Sequence, residues 1–216
     1  MGSRYPLSPG ARLRVLSASG KVSVTAEERD DIEVNPEVRR VETKHDGQVV
    51  EIKAGSKSLD IRCPRGITIS IGSMSGSIHL DGEFGSVKVA AVSGSVDLDT
   101  ATGAVDIRNV SGSISVHHCA GDCRLHSKSG SIRVDSVEGA AQAATISGSV
   151  EVATAGRKGV ELHTVSGGMK VRVAGDKHPD VRLRSISGKL RCECKQGSDF
   201  EIKGRSISGS LEVTGQ

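Results

Sequence analysis

A Ser-Gly pair recurs along this chain at a constant interval, beginning at Ser75, Ser93, Ser111, Ser129 and Ser147. Looser copies begin at Ser166, Ser187 and Ser208. A further glycine stands halfway through each of the first four intervals, so the underlying period is half of the Ser-Gly interval. These halfway glycines are Gly85, Gly103, Gly121 and Gly139. A fixed short period over more than half of a chain indicates stacked structural repeats.

Apolar and polar side chains alternate after each of these glycines. Ile78 and Leu80, for example, are separated by a polar residue and follow Gly76 at two and four residues. Such alternation predicts a strand with one buried face. A single strand and turn cannot bury that face alone, but stacked copies can. We therefore predict an all-β fold, a single parallel β-solenoid (β-helix) of about 18 residues per coil with two main sheets. A three-sided coil is the alternative, and the halfway glycine favours two sides.

Two more columns of apolar residues mark the corners of the predicted coil. Large side chains directly precede the Ser-Gly pairs and small ones lie at the opposite corner, which predicts a flattened, slightly wedge-shaped coil. The large column comprises Met74, Val92, Val110, Ile146, Val165, Ile186 and Ile207, with Lys128 as its exception. The small column comprises Ala101, Cys119, Val137 and Ala155.

The chain divides into an irregular first part and a regular second part. Residues 12–71 also alternate, but their spacing varies and Pro36 and Pro64 interrupt it. We expect residues 1–71 to form irregular N-terminal coils and a cap of the solenoid. Residues 72–216 are expected to form regular repeat coils, each about 18 to about 21 residues long. Both parts should make one continuous domain.

The C-terminal repeat differs from the N-terminal part because no capping segment follows it. Leu211 and Val213 lie in an ordinary repeat strand, and the chain ends three residues after Val213. An open solenoid end offers unpaired backbone groups to another chain. The sequence therefore predicts a homo-oligomer or polymer that forms through the solenoid ends.

Composition limits the setting in which the protein works. A membrane-spanning helix needs about 20 apolar residues in succession, and no apolar run in this chain approaches that length, so no span is expected. No leader is visible at the N-terminus, and five cysteines are an odd number. Both favour a cytoplasmic protein with reduced thiols, although cell-surface association and a removed leader stay open. The net charge of +3 is too small to favour nucleic acid as a partner.

The C-terminal part is nevertheless basic, and this suggests a contact surface. Residues 156–216 carry 12 basic and 7 acidic side chains, clustered near the two longer steps between Ser166, Ser187 and Ser208. The extra residues, Ala174–Asp180 and Lys195–Asp199, are expected to form loops, and loops on a regular rod often mark contacts. The candidate interaction residues are Leu211, Val213, Arg172, Lys177, Arg182, Arg184 and Arg191.

Metal sites are weighed and not predicted. The repeat has one glycine and no aspartate in its turn, so the oxygen ligands of a calcium-binding β-roll are missing. Cys119 and Cys123, with neighbouring histidines, have the residue types of a zinc site. Cys123 and Cys192, however, fall in apolar strand columns and Cys119 at the small corner. Small buried thiols are the preferred interpretation, and no cofactor is expected.

An acidic face presents the one candidate for catalysis. Asp81, Asp97 and Asp99 are predicted outward neighbours, with His79 and His117 beside them. Paired carboxylates can cleave a glycosidic bond. A sugar-binding face usually also offers aromatic platforms, and the chain has no Trp, one Tyr and two Phe. We expect a solvated face, since charges alternate along the predicted column of Arg133, Glu151, Lys170, Arg191 and Glu212.

The repeat resembles that of a bacterial protein family known as "putative adhesin". The resemblance is carried by the Ser-Gly-Ser-[Ile/Val]-x-Val motif and its halfway Gly-x-Val-x-[Ile/Val]. The opening segments Ser19–Val24 and Arg29–Val34 also look like that family's start. This resemblance implies a β-solenoid with surface or cell-envelope stress roles, and it brings no catalytic residues. Bactofilin-type solenoids, which polymerise through their ends, are a looser analogy.

The combined prediction is a non-enzymatic structural or interaction protein that self-associates through its ends. The alternative is a module that binds the cell envelope, a polysaccharide or another anionic ligand, with an envelope-associated partner. A polysaccharide-active enzyme is the third hypothesis. Handedness and the identity of a ligand are not determined by the sequence.

Overall fold

The computed structural model describes residues 3–7, 10–35, 41–44, 49–55, 58–73, 75–156, 158–174, 179–194 and 201–215. These residues form strands and turns, and none of them belongs to a helix that could cross a membrane. The strands are β1 (Ser3–Pro6), β2 (Arg12–Ala18), β3 (Val22–Glu27), β4 (Asp31–Asn35), β5 (Val41–Lys44), β6 (Val49–Gly55), β7 (Leu59–Pro64), β8 (Thr68–Ser73), β9 (Ile78–Phe84), β10 (Val87–Ser93), β11 (Val96–Ala101), β12 (Val105–Ser111), β13 (Ile114–Cys119), β14 (Cys123–Ser129), β15 (Ile132–Val137), β16 (Ala141–Ser147), β17 (Val150–Thr154), β18 (Val160–Ser166), β19 (Met169–Val173), β20 (Val181–Ser187), β21 (Leu190–Cys194), β22 (Ile202–Ser208) and β23 (Leu211–Gly215).

The strands build two sheets, and from β8 onward the chain alternates between them. Sheet A has 12 strands in the order β1-β4-β7-β3-β9-β11-β13-β15-β17-β19-β21-β23. Sheet B has 11 strands in the order β22-β20-β18-β16-β14-β12-β10-β8-β2-β6-β5. Each strand of the regular part pairs in parallel with the strand one coil later, so that Val96 lies opposite Ile114 and Ile114 opposite Ile132. The predicted two-sided parallel β-solenoid is confirmed, with about seven turns of roughly 19 residues.

The core lies between the two sheets and consists of the alternating residues that the repeat places inward. Ile78, Val96, Ile114 and Ile132 follow one another along sheet A and are at most 1% exposed. Val87, Val105, Cys123 and Ala141 form the corresponding column in sheet B and are at most 2% exposed. Because every strand is covered on one face only, polar residues alternate with this apolar set. The interior is therefore a pair of apolar ladders that meet face to face.

The small corner is confirmed at three positions and shifted at one. Ala101, Cys119 and Val137 are fully buried where the chain leaves sheet A. Ala155 was expected next, but Thr154 takes the position opposite Val137, because the pairing of β15 with β17 shifts register there. The Thr154 hydroxyl donates to the carbonyl of Val137 at 3.3 Å, which gives this buried group a partner.

The expectation for the large corner is wrong, because its valines and isoleucines point outward. The inward positions of sheet B continue in strict alternation to the residue just before this column, and those residues are polar except for Ala91. The Asn109 amide, for example, donates to the carbonyls of Gly94 and Gly112 at 2.9 and 3.1 Å. The apolar residue that follows must then face solvent. Met74 lies outside the described residues, and the others are 42–83% exposed: Val92, Val110, Ile146, Val165, Ile186 and Ile207.

The first coils follow one another in space in a different order from their order in the chain. β2 and β3 form a coil that lies between the coil of β6 and β7 and the coil of β8 and β9. After β3 the chain moves to the end of the rod, adds β4 and β5 antiparallel to their neighbours, and then returns. β1 pairs antiparallel with β4 and closes sheet A.

The turn glycines explain why the repeat length is fixed. The glycines of the Ser-Gly pairs have φ between 110° and 156°, a region that other residues reach only with strain. A Cβ at Gly94 would also collide with the backbone of Gly76 one coil earlier. The halfway glycines differ, since Gly121 has no left-handed φ but its missing Cβ leaves room for the carbonyl of Gly103. Both glycine columns let the turns of successive coils touch.

Gly167 and Gly168 provide a test, because they are adjacent and only one is constrained. Gly167 has φ +143° and a Cβ there would collide with Gly148, whereas a Cβ at Gly168 would lie 3.7 Å from the nearest atom, the carbonyl oxygen of Lys189. Gly167→Ala should lower the free energy of unfolding by about 2 kcal/mol or more. Gly168→Ala should change it by less than about 1 kcal/mol. Urea denaturation followed by circular dichroism measures both, and equal effects would contradict this explanation of the repeat.

Candidate interaction surfaces

The C-terminal coil presents an open edge of both sheets. β22 ends sheet B and β23 ends sheet A, and each is paired on one side only among the described residues. Leu211 and Val213 occupy inward columns but remain 46% and 50% exposed, since no further described coil covers them. Gly204 stands where the preceding coil has Leu183, and the Leu211 side chain leans over it. This thin last layer leaves an opening of about 560 Å³ beside Leu183, Gly204 and Leu211.

The N-terminal end is closed by different means. Its edge strands β1 and β5 have four residues each, run antiparallel to their neighbours, and β1 ends in Pro6. Short edge strands with proline resist further pairing. The turn between β3 and β4 is held by Arg29, which is 11% exposed and forms ion pairs with Glu27, Asp31 and Glu33 at 2.8, 2.6 and 3.2 Å. The hydrogen bond from Arg29 lowers the pKa of Asp31.

The solvent face of sheet A carries ion pairs that connect neighbouring coils. Arg191 binds Glu212 of the next coil at 2.8 Å, and Lys170 binds Glu193 at 2.7 Å. Arg172 bridges two coils, since it lies 2.8 Å from Glu151 and 3.2 Å from Glu193. In the predicted column, Arg133 lies opposite Glu151 and Arg191 opposite Glu212, but Lys170 lies opposite Arg191, so the charges do not alternate strictly. Arg172 and Arg191 are therefore engaged within the rod itself.

A histidine lies between two carboxylates on the same face. His117 Nδ1 is 2.9 Å from Asp135 Oδ2, and its Nε2 is 3.6 Å from Asp97 Oδ1. The hydrogen bond with Asp135 raises the pKa of His117, and Asp97 adds to the effect. Arg133, at 2.8 Å, is the main reason that the pKa of Asp135 is lowered. This cluster is a surface network of charges that connects β11, β13 and β15.

The three aspartates considered for catalysis lie on this open face. Asp97 is opposite His79, as predicted, while a register shift between β9 and β11 follows Leu98. Gly82, which follows Asp81, adopts φ +96°, and its amide donates to Asp99 Oδ2 at 3.3 Å. Four concavities of about 300 to 900 Å³ are lined by described residues, and these aspartates line none of the four.

The cysteines are free thiols, four of them buried. Cys119 and Cys123 are close enough to share a hydrogen bond, which lowers the pKa of Cys119 and raises that of Cys123. Burial raises the pKa values of Cys63 and Cys192 to about 12. Among the described residues no three histidine, cysteine or acidic side chains are placed to hold a metal ion. The cysteine side chains act here as small apolar core groups.

The basic residues chosen from the sequence do not form one site. Arg172 and Arg191 lie in β19 and β21 of sheet A, whereas Arg182 and Arg184 lie in β20 of sheet B. Lys177 and most of the two expected loops lie outside the described residues. Strands β19, β20 and β21 follow one another in the chain but alternate between sheets, so basic residues that are near in sequence point to opposite sides of the rod. Sequence clustering alone could not separate them.

The feature that the sequence analysis missed is an outward apolar column on the edge of sheet B. We name it the apolar stripe and define it as Val92, Val110, Ile146, Val165, Ile186 and Ile207. A groove of about 900 Å³ runs beside its C-terminal half, with Ile146, Val165 and Ile186 on one wall and His126, His163, Arg184 and Arg205 on the other. Alternate residues of a strand point inward and outward, and counting them from the preceding glycine would have placed these side chains outside.

Comparison with known families settles the classification. Residues 11–215 match the family described as "Toastrack DUF4097". The chain belongs to the Toastrack DUF4097 family. The resemblance to a β-solenoid family inferred from the repeat is thereby confirmed.

One solved structure that resembles the chain is a crystal structure titled "putative adhesin" from Bacteroides fragilis NCTC 9343. It shares 11% sequence identity with the Toastrack chain at a TM-score of 0.44, over 99% of this chain and 96% of that one. No curated protein sequence matches the Toastrack chain significantly.

The His117 cluster predicts a measurable titration. A raised pKa means that the protonated ring stabilises the fold, fully below the ordinary pKa of 6.5, and that this stabilisation is lost as the pH rises through the folded-state pKa. NMR titration should give His117 a pKa above 6.5. Asp135→Asn should lower it more than Asp99→Asn does, because Asp135 accepts the hydrogen bond and Asp99 acts only through its charge. Equal effects of the two substitutions would show that the hydrogen bond is absent in solution.

Proposed function

We propose that this protein is a non-enzymatic β-solenoid that self-associates through its C-terminal coil, tail to tail, into a dimer. The supporting observation is the pair of open edges at β22 and β23, with Leu211 and Val213 half exposed in core columns. In the preceding coil, which has a neighbour on both sides, the equivalent residues Leu190 and Cys192 are at most 1% exposed. A second copy would supply the missing layer.

One symmetry operation can satisfy both edges at once. A two-fold axis that passes through both sheets at right angles to them would place β23 antiparallel to its copy and β22 antiparallel to its copy. Isologous contacts of this kind are the commonest basis of homodimers. Antiparallel pairing supplies hydrogen-bond partners to both free edges, and Leu211 and Val213 of each copy would become core residues.

The difference between the two ends favours a dimer over a filament. A filament needs a head that accepts the tail, and the described part of the N-terminal end offers the four-residue strands β1 and β5 at its edges. Pro6 and the antiparallel pairing of both strands make that end a poor acceptor. A tail-to-tail contact uses the C-terminal edge of both copies, so assembly through this edge ends at a dimer.

Val213→Lys tests this proposal, with Thr214→Lys as the matched control. Both add one positive charge to β23, but Val213 occupies the core column and Thr214 the solvent face. A lysine at position 213 would have to be desolvated twice in a two-fold contact. We expect Val213→Lys to weaken dimerisation at least about tenfold, which is about 1.4 kcal/mol, while Thr214→Lys leaves it nearly unchanged. Sedimentation equilibrium measures both.

Because Val213 is half exposed in the monomer, the substitution should not unfold the rod, and circular dichroism checks this. A wild-type chain that is monomeric at all accessible concentrations would disprove the proposal. A dimer that Val213→Lys leaves intact would disprove the C-terminal interface. Long filaments in negative-stain images would show that the N-terminal end takes part.

A further inference from the structure

The apolar stripe places an exposed apolar side chain in each successive coil, except in the coil where Lys128 takes that position. Its six side chains are 42–83% exposed, although valine and isoleucine are usually buried. They occupy one position per coil, so at about 4.8 Å per strand the stripe spans roughly 29 Å along the rod. A contiguous apolar patch on a protein surface generally marks a contact with another molecule or with a membrane.

Positive charges border the stripe and fill its one gap. Lys128 replaces the apolar residue between Val110 and Ile146. Arg184 and Arg205 form one wall of the adjoining groove, and Lys189 follows the turn on the other side of Ile186. Among the described residues none of these four cations is paired with a carboxylate. The surface therefore combines apolar contact area with unpaired cations. A molecule that matches both features is an anionic amphiphile.

An extended peptide does not fit this surface. β10 to β20 are hydrogen-bonded on both sides, so the face of sheet B offers no free backbone groups to a docking strand. A peptide laid over the stripe would bury its own amide and carbonyl groups without partners, which is costly. Lipid acyl chains carry no such groups along their length.

A second copy of this chain does not fit either. Lys128 lies in the middle of the stripe, and a dry contact between two stripes would bury its ammonium group without a carboxylate partner. Copies aligned in parallel would also bring Arg184 and Arg205 against the same residues of the other copy. At a membrane surface, by contrast, Lys128 can extend its ammonium group to the phosphates while its stem packs beside Ile146.

We propose that the apolar stripe docks this protein onto a membrane surface that contains anionic phospholipid. The rod lies lengthwise on the surface, with the valines and isoleucines at the boundary between headgroups and acyl chains. Lys128, Arg184, Lys189 and Arg205 contact the phosphates. The chain has no Trp and the stripe no aromatic anchor, so docking requires both signals together, apolar contact and charge.

Vesicle flotation tests the proposal with the wild-type chain and two double variants. The probe is a vesicle of phosphatidylcholine and phosphatidylglycerol in equal parts, with pure phosphatidylcholine as the reference. We expect binding to the mixed vesicles only, and weaker binding as salt is raised. Ile146→Thr/Ile186→Thr should bind at least about tenfold more weakly, and Arg184→Glu/Arg205→Glu at least about tenfold more weakly as well.

Arg62→Glu/Arg65→Glu is the matched control for charge. It makes the same change in net charge near the N-terminal end of the rod, and both residues are exposed. Its binding should stay within about twofold of wild type, because the charges lie far from the stripe. All substituted residues are exposed, and thermal unfolding confirms that the variants fold.

Any of three results would overturn the proposal. One is equal binding by the wild type and Ile146→Thr/Ile186→Thr, and another is no preference for anionic vesicles. The third is a soluble dimer that Ile146→Thr/Ile186→Thr converts to monomer, since a second copy would then cover the stripe. Loss of dimerisation in Val213→Lys with unchanged vesicle binding would support the docking surface independently of the C-terminal contact.

Discussion

The close contact of glycine backbones at the turns determines the rest of this structure. At the Ser-Gly turns, and at the opposite corner from Gly85 to Gly156, a glycine lies against the backbone of the neighbouring coil with no room for a Cβ. This contact fixes the register, so equivalent residues of successive coils lie opposite one another. Once the register is fixed, any residue type repeated in the sequence becomes a ladder in space. The apolar core, the ion pairs of sheet A and the apolar stripe are three such ladders.

The period, the two sheets and the inward columns could be predicted because each depends on local sequence alone. Two errors came from treating the corners by residue type. Val92 and Ile146 are apolar, but strand parity places them outside and leaves Asn109 and Thr145 to fill the corner. Thr154 replaces Ala155 because β15 and β17 shift register. The alternation that places Val92 and Ile146 outside can be counted along their own strands, whereas the register of Thr154 depends on the neighbouring coil.

The candidate surfaces were predicted less completely than the fold. Leu211 and Val213 could be placed in inward strand columns because those columns follow from the repeat itself. The basic residues Arg172 and Arg184 are close in sequence yet lie on opposite sheets, and Arg172 is already bound to Glu151 and Glu193. Whether a charged residue of a solenoid is paired depends on its neighbours in the adjoining coils. These neighbours lie a full coil away in the sequence.

The arrangement of the first coils also bears on how the molecule can be built on the ribosome. β2 and β3 emerge before β6 and β7, yet their coil becomes an inner layer with β6 and β7 on one side. That side is closed by the time Pro64, the last residue of β7, has been made. The opposite side is then available, and each newly synthesised coil can add to it as a template. Growth therefore runs in one direction, and the most recently made coil is the open one throughout synthesis.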